Sequence, residues 1–165
     1  MLDYLTSIFL ATTIGFSTPP EKVNAMSPEL FCLVQNIYFE AGNQSYAGKL
    51  AVAEVTLNRF QSTKYPNKIC DVVKQAVMSK WWKEAHNKDV PVRNKCQFSW
   101  YCDGKSDNIK YAGTWRSSMI AAFDALRSER KLTEGALFYH ATYVNPKWNK
   151  SKEYITQIGD HIFYR

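Results

Sequence analysis

The chain has 165 residues, of which 45% are hydrophobic and 15% aromatic, and it carries a net charge of +6. This composition excludes a disordered chain and fits one domain with a substantial core. The positive charge indicates an acidic partner, which is nucleic acid, an anionic membrane surface or a bacterial wall polymer. Nucleic acid is disfavoured, because the sequence has no run of five basic residues, no zinc-finger spacing and no recognition-helix signature.

The N-terminal segment has the pattern of a targeting sequence. Residues 5–16 are mostly apolar, and residues 23–25 offer small side chains at the positions that a signal peptidase inspects. We therefore predict that residues 1–25 are a signal peptide or an N-terminal anchor and that residues 26–165 form the folded domain. Two features are unusual for such a segment: the leading residues include Asp3 but no lysine or arginine, and the apolar run is short for a membrane span.

The first predicted helix carries an acidic residue near its end. Ser27 is suited to cap it and Pro28 to open its first turn, and apolar residues recur at helical spacing up to Gly42, where the helix stops. Glu40 falls at the edge of the apolar stripe. The carbonyl end of a helix and apolar surroundings both disfavour negative charge, so we expect a raised pKa that makes Glu40 a proton donor. The alternative is a surface carboxylate paired with a lysine.

The second predicted helix spans residues 46–60, after Ser45 as its cap. It is apolar nearly all round, which indicates burial. Glu54 shares a face with two leucines and therefore points inward. It is either a partner of Arg59 or a member of the functional site, and we favour a site-lining or structural role.

The middle of the chain alternates short elements with polar segments. Residues 65–67 break the chain before a third helix predicted over residues 69–78. Residues 83–95 are polar and are predicted to form a surface loop, and residues 96–102 are predicted to be extended and aromatic. Residues 103–104 form a predicted turn.

The C-terminal part combines one helix with strands. The helix is predicted over residues 114–128, and strands are predicted over residues 136–144, 155–158 and 161–164. The residues expected on the inner side of the helix are Trp115, Met119, Ala122, Phe123 and Leu126. No repeat or linker follows the N-terminal segment, so we predict a single α+β domain that is mainly helical with a small β region.

The four cysteines, Cys32, Cys70, Cys96 and Cys102, are typical of an exported protein. We expect at least one disulfide, between Cys70 and the segment that contains Cys96 and Cys102. Cys32 lies in the first helix, where a buried free thiol is an equal alternative. No cysteine pair has zinc-binding spacing and the three histidines are dispersed, so we predict no metal and no other cofactor.

Several ordered segments together carry a family resemblance. They are Ile37–Ala41, Gly48–Val55 with Leu57–Arg59, Tyr65–Asn67 with Cys70, Cys96–Trp100 with Cys102–Gly104, Tyr139–Ala141 with Pro146 and Trp148, and Ile158–Gly159 with His161–Tyr164. In this order and spacing, which cover residues 33–165, the chain resembles the SleB/CwlJ family of cell wall hydrolases, whose catalytic domains cleave the peptidoglycan glycan.

The resemblance implies a lysozyme-like domain related to lytic transglycosylases, with Glu40 as the acid that protonates the bond between N-acetylmuramic acid and N-acetylglucosamine. A lytic transglycosylase needs no second carboxylate, because the muramic 6-hydroxyl attacks the anomeric carbon and Glu40 accepts its proton. We expect this outcome, and the alternative is a hydrolytic muramidase with Glu54 or Asp103 as base. Residues 41–43 depart from many relatives, since they lack an arginine and a second acid.

The predicted substrate groove is composed of groups that hydrogen-bond to sugars or stack on them. These residues are Glu54, Gln97, Ser99, Trp100, Tyr139, His140 and Trp148. Alternation along an extended segment places Phe98 and Tyr101 in the core and makes Trp100 the weaker candidate among them. His140 is equally well a core histidine whose hydrogen bonds are satisfied.

Two other classes of protein stay open at this point. A cysteine peptidase or amidase would use Cys96 or Cys102 with His140 and Asn145, and it needs a free thiol. A noncatalytic peptidoglycan-binding or virion module would keep the fold without turnover. We expect a monomer that acts on glycan strands in a secreted, periplasmic or cell-wall location, in a bacterium or as a phage endolysin, with no membrane span after processing.

Overall fold

The computed structural model describes residues 26–128 and 131–165, so the predicted targeting segment lies outside the described residues. The helices of the described part are α1 (Pro28–Ala41), α2 (Tyr46–Gln61), α3 (Ile69–Val73), α4 (Lys80–His86) and α5 (Ala112–Arg127). The strands are β1 (Ala76–Met78), β2 (Pro91–Cys96), β3 (Phe138–Ala141), β4 (Tyr154–Ile158) and β5 (His161–Tyr164). Two 3₁₀ helices cover Ser99–Cys102 and Lys147–Ser151.

Local signals set the ends of α1 and α2. The hydroxyl of Ser27 accepts a hydrogen bond from the first turn of α1, and Ser45 does the same for α2, as predicted. Gly42 ends α1, and a Cβ atom there would lie 2.5 Å from the carbonyl oxygen of Tyr38. The bounds of both helices therefore follow the prediction to within a residue or two.

The main core lies where α1, α2, α3 and α5 pack together. Its fully buried side chains include Leu33 and Ile37 of α1 and Val72 of α3. The helix α2 contributes to this core on one face and to a second, smaller core on the other, where Val55 packs with Phe163 of the sheet. This double burial explains why α2 is apolar nearly all round.

The inner face of α5 differs in part from the prediction. Its buried residues are Ser118, Ala121, Ala122 and Ala125. Phe123 and Leu126, predicted to face inward, are 39% and 50% exposed. Small side chains allow α5 to approach α1 and α2 closely, so this packing selects a face of the helix that a count of bulky apolar residues misses.

The C-terminal strands form an antiparallel sheet in the order β3-β5-β4. Tyr139 of β3 pairs with Phe163 of β5. The predicted strands are confirmed, although β3 is shorter than predicted, since Ala136 precedes it and a turn follows at residues 142–143. This sheet packs on α2 and fixes β3 beside the end of α1, as the contact between Tyr139 and Glu40 shows.

The middle of the chain departs most from the prediction. The third helix stops at Val73, and β1 and β2 form an antiparallel ribbon with α4 between them, in place of a longer helix and a loop. In this ribbon Ala76 pairs with Cys96 and Met78 with Pro91. The segment from Ser99 to Cys102 is a 3₁₀ helix, so the predicted extended conformation is wrong there.

All four cysteines form disulfides, Cys32–Cys70 and Cys96–Cys102. The prediction that Cys70 pairs with Cys96 or Cys102 is wrong, and so is the alternative that Cys32 is a free thiol. The reason is that α3 packs against α1 and brings Cys70 next to Cys32, whereas the short 3₁₀ helix folds Cys102 back onto Cys96. Within residues 26–128 and 131–165, no helix has both the length and the apolar character needed to cross a membrane.

Candidate active site

The candidate site is a cleft of about 550 Å³ between the end of α1, the segment that follows β2, and β3. The residues that line it include Glu40, Arg59, Gln97, Phe98, Ser99, Trp100, Asp103, Asp107, Tyr139, His140, Tyr143 and His161. The structure thus brings Glu40 together with five of the predicted groove residues. Glu54 and Trp148 are not among the lining residues.

Glu40 lies in the last turn of α1, partly buried at one wall of the cleft. Its Oε2 atom accepts a hydrogen bond of 2.8 Å from the hydroxyl of Tyr139. Burial raises the pKa of the Glu40 carboxyl, and the Tyr139 hydrogen bond and the positive charge of Arg59 oppose that rise without cancelling it. The predicted rise of the Glu40 pKa is therefore confirmed. In these surroundings the carboxyl stays protonated to a higher pH than an exposed glutamate does.

Arg59 is a residue of the site whose part in the cleft the sequence analysis did not predict. Its side chain is buried, and its Nε donates a hydrogen bond of 2.8 Å to the carbonyl oxygen of Leu137, next to β3. The guanidinium lies over the Phe98 ring at 5.0 Å, and its Nη1 atom is buried without a hydrogen-bond partner among the described residues. A cation held in this way stabilises negative charge on Glu40. The signal available in the sequence was an arginine in the last turn of a helix that is apolar nearly all round.

Trp100 is held in the wall of the cleft by a buried network. Its Nε1 donates to the side-chain oxygen of Asn36 at 2.9 Å, and the Asn36 amide nitrogen donates to Thr56 at 3.0 Å. Its ring stacks on Phe39 at 4.7 Å. Alternation had made Trp100 the weaker candidate, but the 3₁₀ helix places it at the cleft with its rotamer fixed. Phe98 is buried in the core, as expected, and also contacts the cleft.

Gln97 and Ser99 are exposed side chains on the same wall as Trp100. They offer an amide and a hydroxyl group for hydrogen bonds to a ligand. Asp103 and Asp107 line the cleft as well. Asp103 is bonded within its own turn, because its carboxylate accepts from the Lys105 backbone at 2.8 Å and lies 3.5 Å from the Lys105 ammonium.

His140 is a buried residue with both ring nitrogens satisfied. Nδ1 lies 2.9 Å from the carbonyl oxygen of Ala141, and Nε2 lies 3.1 Å from the hydroxyl of Tyr164. It borders the cleft, but these bonds describe the satisfied core histidine of the alternative interpretation. Trp148 packs edge-on against His140 at 5.5 Å, behind the cleft lining, so it supports the sheet and does not present a face to the cleft.

His161 borders the cleft from β5 and was not among the predicted residues. Its Nδ1 is buried without a hydrogen-bond partner in the described part of the chain. Burial lowers the pKa of His161, nearby Asp160 opposes this shift, and the neighbouring His140 adds to it. These surroundings therefore favour the neutral form of the ring.

Glu54 has a structural role, which corrects the expectation that it lines the groove. It is 1% exposed, and its two carboxylate oxygens accept hydrogen bonds from the backbone of Leu132 and from the backbone and hydroxyl of Thr133, at 2.8–3.0 Å. None of these hydrogen bonds involves Arg59, and Glu54 is not among the residues that line the cleft. Its acceptors anchor the turn that leads into β3.

The cysteine-based alternative does not fit the site. Both Cys96 and Cys102 are oxidised, and the part of the chain that the structure describes, which holds all four cysteines, contains no free one. A disulfide sulfur cannot act as the nucleophilic thiolate that a cysteine peptidase requires. Within the described residues, no group of three or more histidine, cysteine or acidic side chains is arranged to hold a metal ion.

Comparison with known proteins agrees with this architecture. The sequence model of the cell wall hydrolase family matches residues 43–164, so the chain belongs to this family. The match begins after Glu40, so Glu40 is a candidate site residue because of its position in the cleft and not because of this match. The predicted resemblance is confirmed.

The chain is also similar to individual proteins. It is 24% identical over 131 residues to spore cortex-lytic enzymes of Bacillus subtilis and Halalkalibacterium halodurans, and these matches cover 79% of this chain and 35% and 33% of those proteins. The chain thus spans about a third of the length of these curated relatives.

Two solved structures share the fold. The catalytic domain of the germination-specific lytic transglycosylase SleB from Bacillus anthracis has a TM-score of 0.57 at 23% identity, covering 86% of this chain and 98% of that domain. The catalytic domain of Bacillus cereus SleB has a TM-score of 0.56 at 24% identity, covering 86% and 94%. The predicted lysozyme-like α+β fold, mainly helical with a small sheet, is confirmed.

Proposed function

We propose that this domain cleaves the bond between N-acetylmuramic acid and N-acetylglucosamine in peptidoglycan as a lytic transglycosylase, with Glu40 as acid and then as base. The single observation that carries the proposal is the state of Glu40, a partly buried carboxyl with a raised pKa at the wall of a cleft. Membership of the cell wall hydrolase family and the names of the similar proteins support the choice of substrate.

In the first step Glu40 donates its proton to the glycosidic oxygen as positive charge develops on the muramic sugar. Oε2 is occupied by the Tyr139 hydroxyl, whereas Oε1 has no hydrogen bond from the described part of the chain. We infer that the transferred proton resides on Oε1. Once Glu40 is ionised, the Tyr139 hydrogen bond and the Arg59 charge stabilise the carboxylate.

In the second step the muramic 6-hydroxyl attacks the anomeric carbon, and the Glu40 carboxylate accepts its proton. The C–O bond to the leaving sugar is replaced by an intramolecular C–O bond, so the products are a free N-acetylglucosamine end and a 1,6-anhydro-muramic end. No water is consumed, and Glu40 returns to its protonated state. One carboxyl group is sufficient for this sequence.

The alternative outcome is hydrolysis, which needs a second carboxylate as general base. The contacts of the acidic residues reduce the number of candidates for that base. Glu54 is committed to the turn before β3. Asp103 and Asp107 both line the cleft. The slight desolvation of the largely exposed Asp107 carboxyl, and secondly the charge of Asp103, raise the pKa of Asp107. We favour transglycosylation, because Asp103 is bonded to Lys105 and Asp107 is exposed.

For substrate binding we propose Gln97 and Ser99 as hydrogen-bonding groups, Trp100 as an apolar wall for a sugar ring, and Tyr139 as the residue that positions Glu40. His140, whose ring is held by two hydrogen bonds, forms part of the cleft border.

The two disulfides are typical of proteins in an oxidising compartment. We therefore propose that residues 26–165 act in the cell wall, after secretion or as a phage endolysin. We propose a monomer that does not bind nucleic acid. Residues 1–25 stay a predicted signal peptide or anchor.

Mass spectrometry of purified peptidoglycan digested with residues 26–165 tests the proposal. The parent protein is compared with Glu40→Gln and with Glu134→Gln, which makes the same chemical change at an exposed side chain. We expect anhydro-muramic ends from the parent and the control, and none from Glu40→Gln.

Reducing muramic ends would indicate a hydrolase with Asp103 or Asp107 as base. Cleaved peptide stems with intact glycan would contradict the proposal altogether. Wall binding by both the parent and Glu40→Gln, with turnover by neither, would indicate a noncatalytic module.

A further inference from the structure

One part of the molecule takes no part in either core. We call residues 76–96 the arm: it consists of the ribbon strands β1 and β2 with α4 between them. α4 has no buried residue, and every residue from Lys80 to Asp89 is exposed. The arm therefore projects from the domain and contributes little to its stability.

The arm nevertheless carries large apolar side chains. Trp81 is 62% exposed and Trp82 37%, and Val77 and Met78 are exposed beside them on β1. The two indole rings contact each other at 5.0 Å and the His86 ring at 5.3 and 4.7 Å. Exposed aromatic residues that pack on one another and not on a core mark an interaction surface.

The arm is also strongly basic. It contains five lysine or arginine residues and two acidic residues, a net charge of +3 in a chain whose total is +6. Lys83 pairs with Asp89 at 2.9 Å. Lys80, Lys88 and Lys95 form no ion pair within residues 26–128 and 131–165. These three charges are available to an acidic partner.

The base of the arm is joined to the catalytic cleft. Cys96, the last residue of β2, forms the disulfide with Cys102, which fixes the ribbon to the wall that carries Trp100. Cys96 and Gln97 line the cleft and also line a shallow depression of about 430 Å³ with Val77 and Lys95 of the arm. One continuous surface therefore runs from the cleft onto the arm.

We propose that the arm is a second binding surface for peptidoglycan, which holds the strand where it leaves the cleft. The inference rests on the proposed function. Indole rings stack on the apolar faces of sugar rings, and the unpaired lysines attract the carboxylates of the peptide stems. Continuity with the cleft favours this partner over an anionic membrane, for which tryptophan and lysine side chains are also suited.

The test measures binding apart from turnover. In a Glu40→Gln background, co-sedimentation with purified insoluble peptidoglycan is compared between the unaltered arm and Trp81→Ala/Trp82→Ala. Tyr154→Ala is the matched control, since Tyr154 is 60% exposed on β4. We expect the arm variant to bind roughly tenfold more weakly and the control to bind normally. Because α4 has no fully buried residue and Tyr154 is exposed, both variants should unfold at the parent's urea midpoint.

Peptidoglycan binding equal to that of the control would overturn the proposal. Weaker binding to vesicles of anionic phospholipid with unchanged peptidoglycan binding would also overturn it and would assign the arm to a membrane surface. With Glu40 intact, we expect the arm variant to lose turnover on insoluble wall but to keep it on short soluble glycan fragments. If the parent cleaves the wall and the arm variant matches it, the arm proposal alone fails. If the parent cleaves neither substrate, the proposed function fails.

Discussion

The hydroxyl of Tyr139 donates a hydrogen bond of 2.8 Å to Oε2 of Glu40 and so joins two residues that are 99 positions apart. The contact crosses from β3 to the end of α1. It stabilises the ionised form of a carboxyl whose burial favours the protonated form. The balance of these two effects sets the pH range in which Glu40 holds a proton that it can donate.

Tyr139→Phe removes this hydrogen bond and should raise the pKa of Glu40 further. Since the proposed reaction begins with protonated Glu40, the high-pH limb of kcat/KM on peptidoglycan should move to higher pH. The maximal rate should fall roughly tenfold, because the carboxylate formed in the first step loses its donor. Tyr143→Phe, a change at another tyrosine of the cleft, should leave the profile in place. A limb that moves to lower pH would contradict this account.

Glu40→Gln should stabilise the fold at neutral pH. A carboxyl whose folded-state pKa is raised contributes its stability fully below the unfolded-state pKa and loses it as pH rises through the folded-state pKa. The neutral amide has no such loss. Thermal unfolding at pH 7 should therefore show a Tm higher than the parent's by roughly one to a few degrees. The difference should close toward pH 4, and a parent that is the more stable protein at pH 7 would contradict it.

Glu54→Ala should destabilise the domain without altering its chemistry. The change leaves the partly buried N–H of Leu132 and the buried N–H and hydroxyl of Thr133 without their acceptor, at a cost of about 2–4 kcal/mol. Urea unfolding measures this loss. Activity per folded molecule should equal the parent's, whereas a residue of the catalytic site would lose activity in proportion to its role. Glu134→Ala, at an exposed position, should change the free energy of unfolding by less than about 0.5 kcal/mol.

Asn36→Ala should loosen the wall of the cleft. It leaves the indole N–H of Trp100 without an acceptor and removes the amide that donates to the hydroxyl of Thr56, which keeps its own bond to Val52. We expect a loss of about 1–3 kcal/mol in the free energy of unfolding. The near-ultraviolet circular dichroism of the tryptophans should weaken as Trp100 gains mobility. Asn145→Ala removes an exposed asparagine with a single side-chain bond and should show neither effect.

The two disulfides should differ in what they stabilise. Cys32–Cys70 closes a loop of 38 residues and Cys96–Cys102 a loop of 6, so the chain-entropy relation assigns roughly 4 and 2 kcal/mol to them. Replacing the first pair by alanine should lower the urea midpoint more. Replacing the second should reduce wall cleavage more, because Cys96 lines the cleft and fixes the arm beside it. The opposite ranking in both assays would contradict this division.

Elements defined by local signals were predictable from the sequence. The cap at Ser27 and the stop at Gly42 set the bounds of α1, and helical spacing placed Glu40 at the edge of its buried face. The same reasoning found α2 and the three C-terminal strands. Such signals involve groups within a few residues of one another, so they act in the same way whatever the rest of the chain does.

The remainder was decided by contacts between distant segments. The packing of α3 on α1 selects Cys70 as the partner of Cys32. Pairing of β1 with β2 shortens the predicted third helix, and the same ribbon leads into a 3₁₀ helix that turns Trp100 toward Asn36.

The roles of the buried polar residues were decided in the same way. The sequence by itself determined that Glu54 is buried and that Glu40 lies at a helix end. Only the tertiary structure decided that Glu54 anchors a turn and that Glu40 meets Tyr139 and the charge of Arg59. The physical reason is that a buried polar group must find its partner, and which segment supplies that partner depends on the packing of the whole domain.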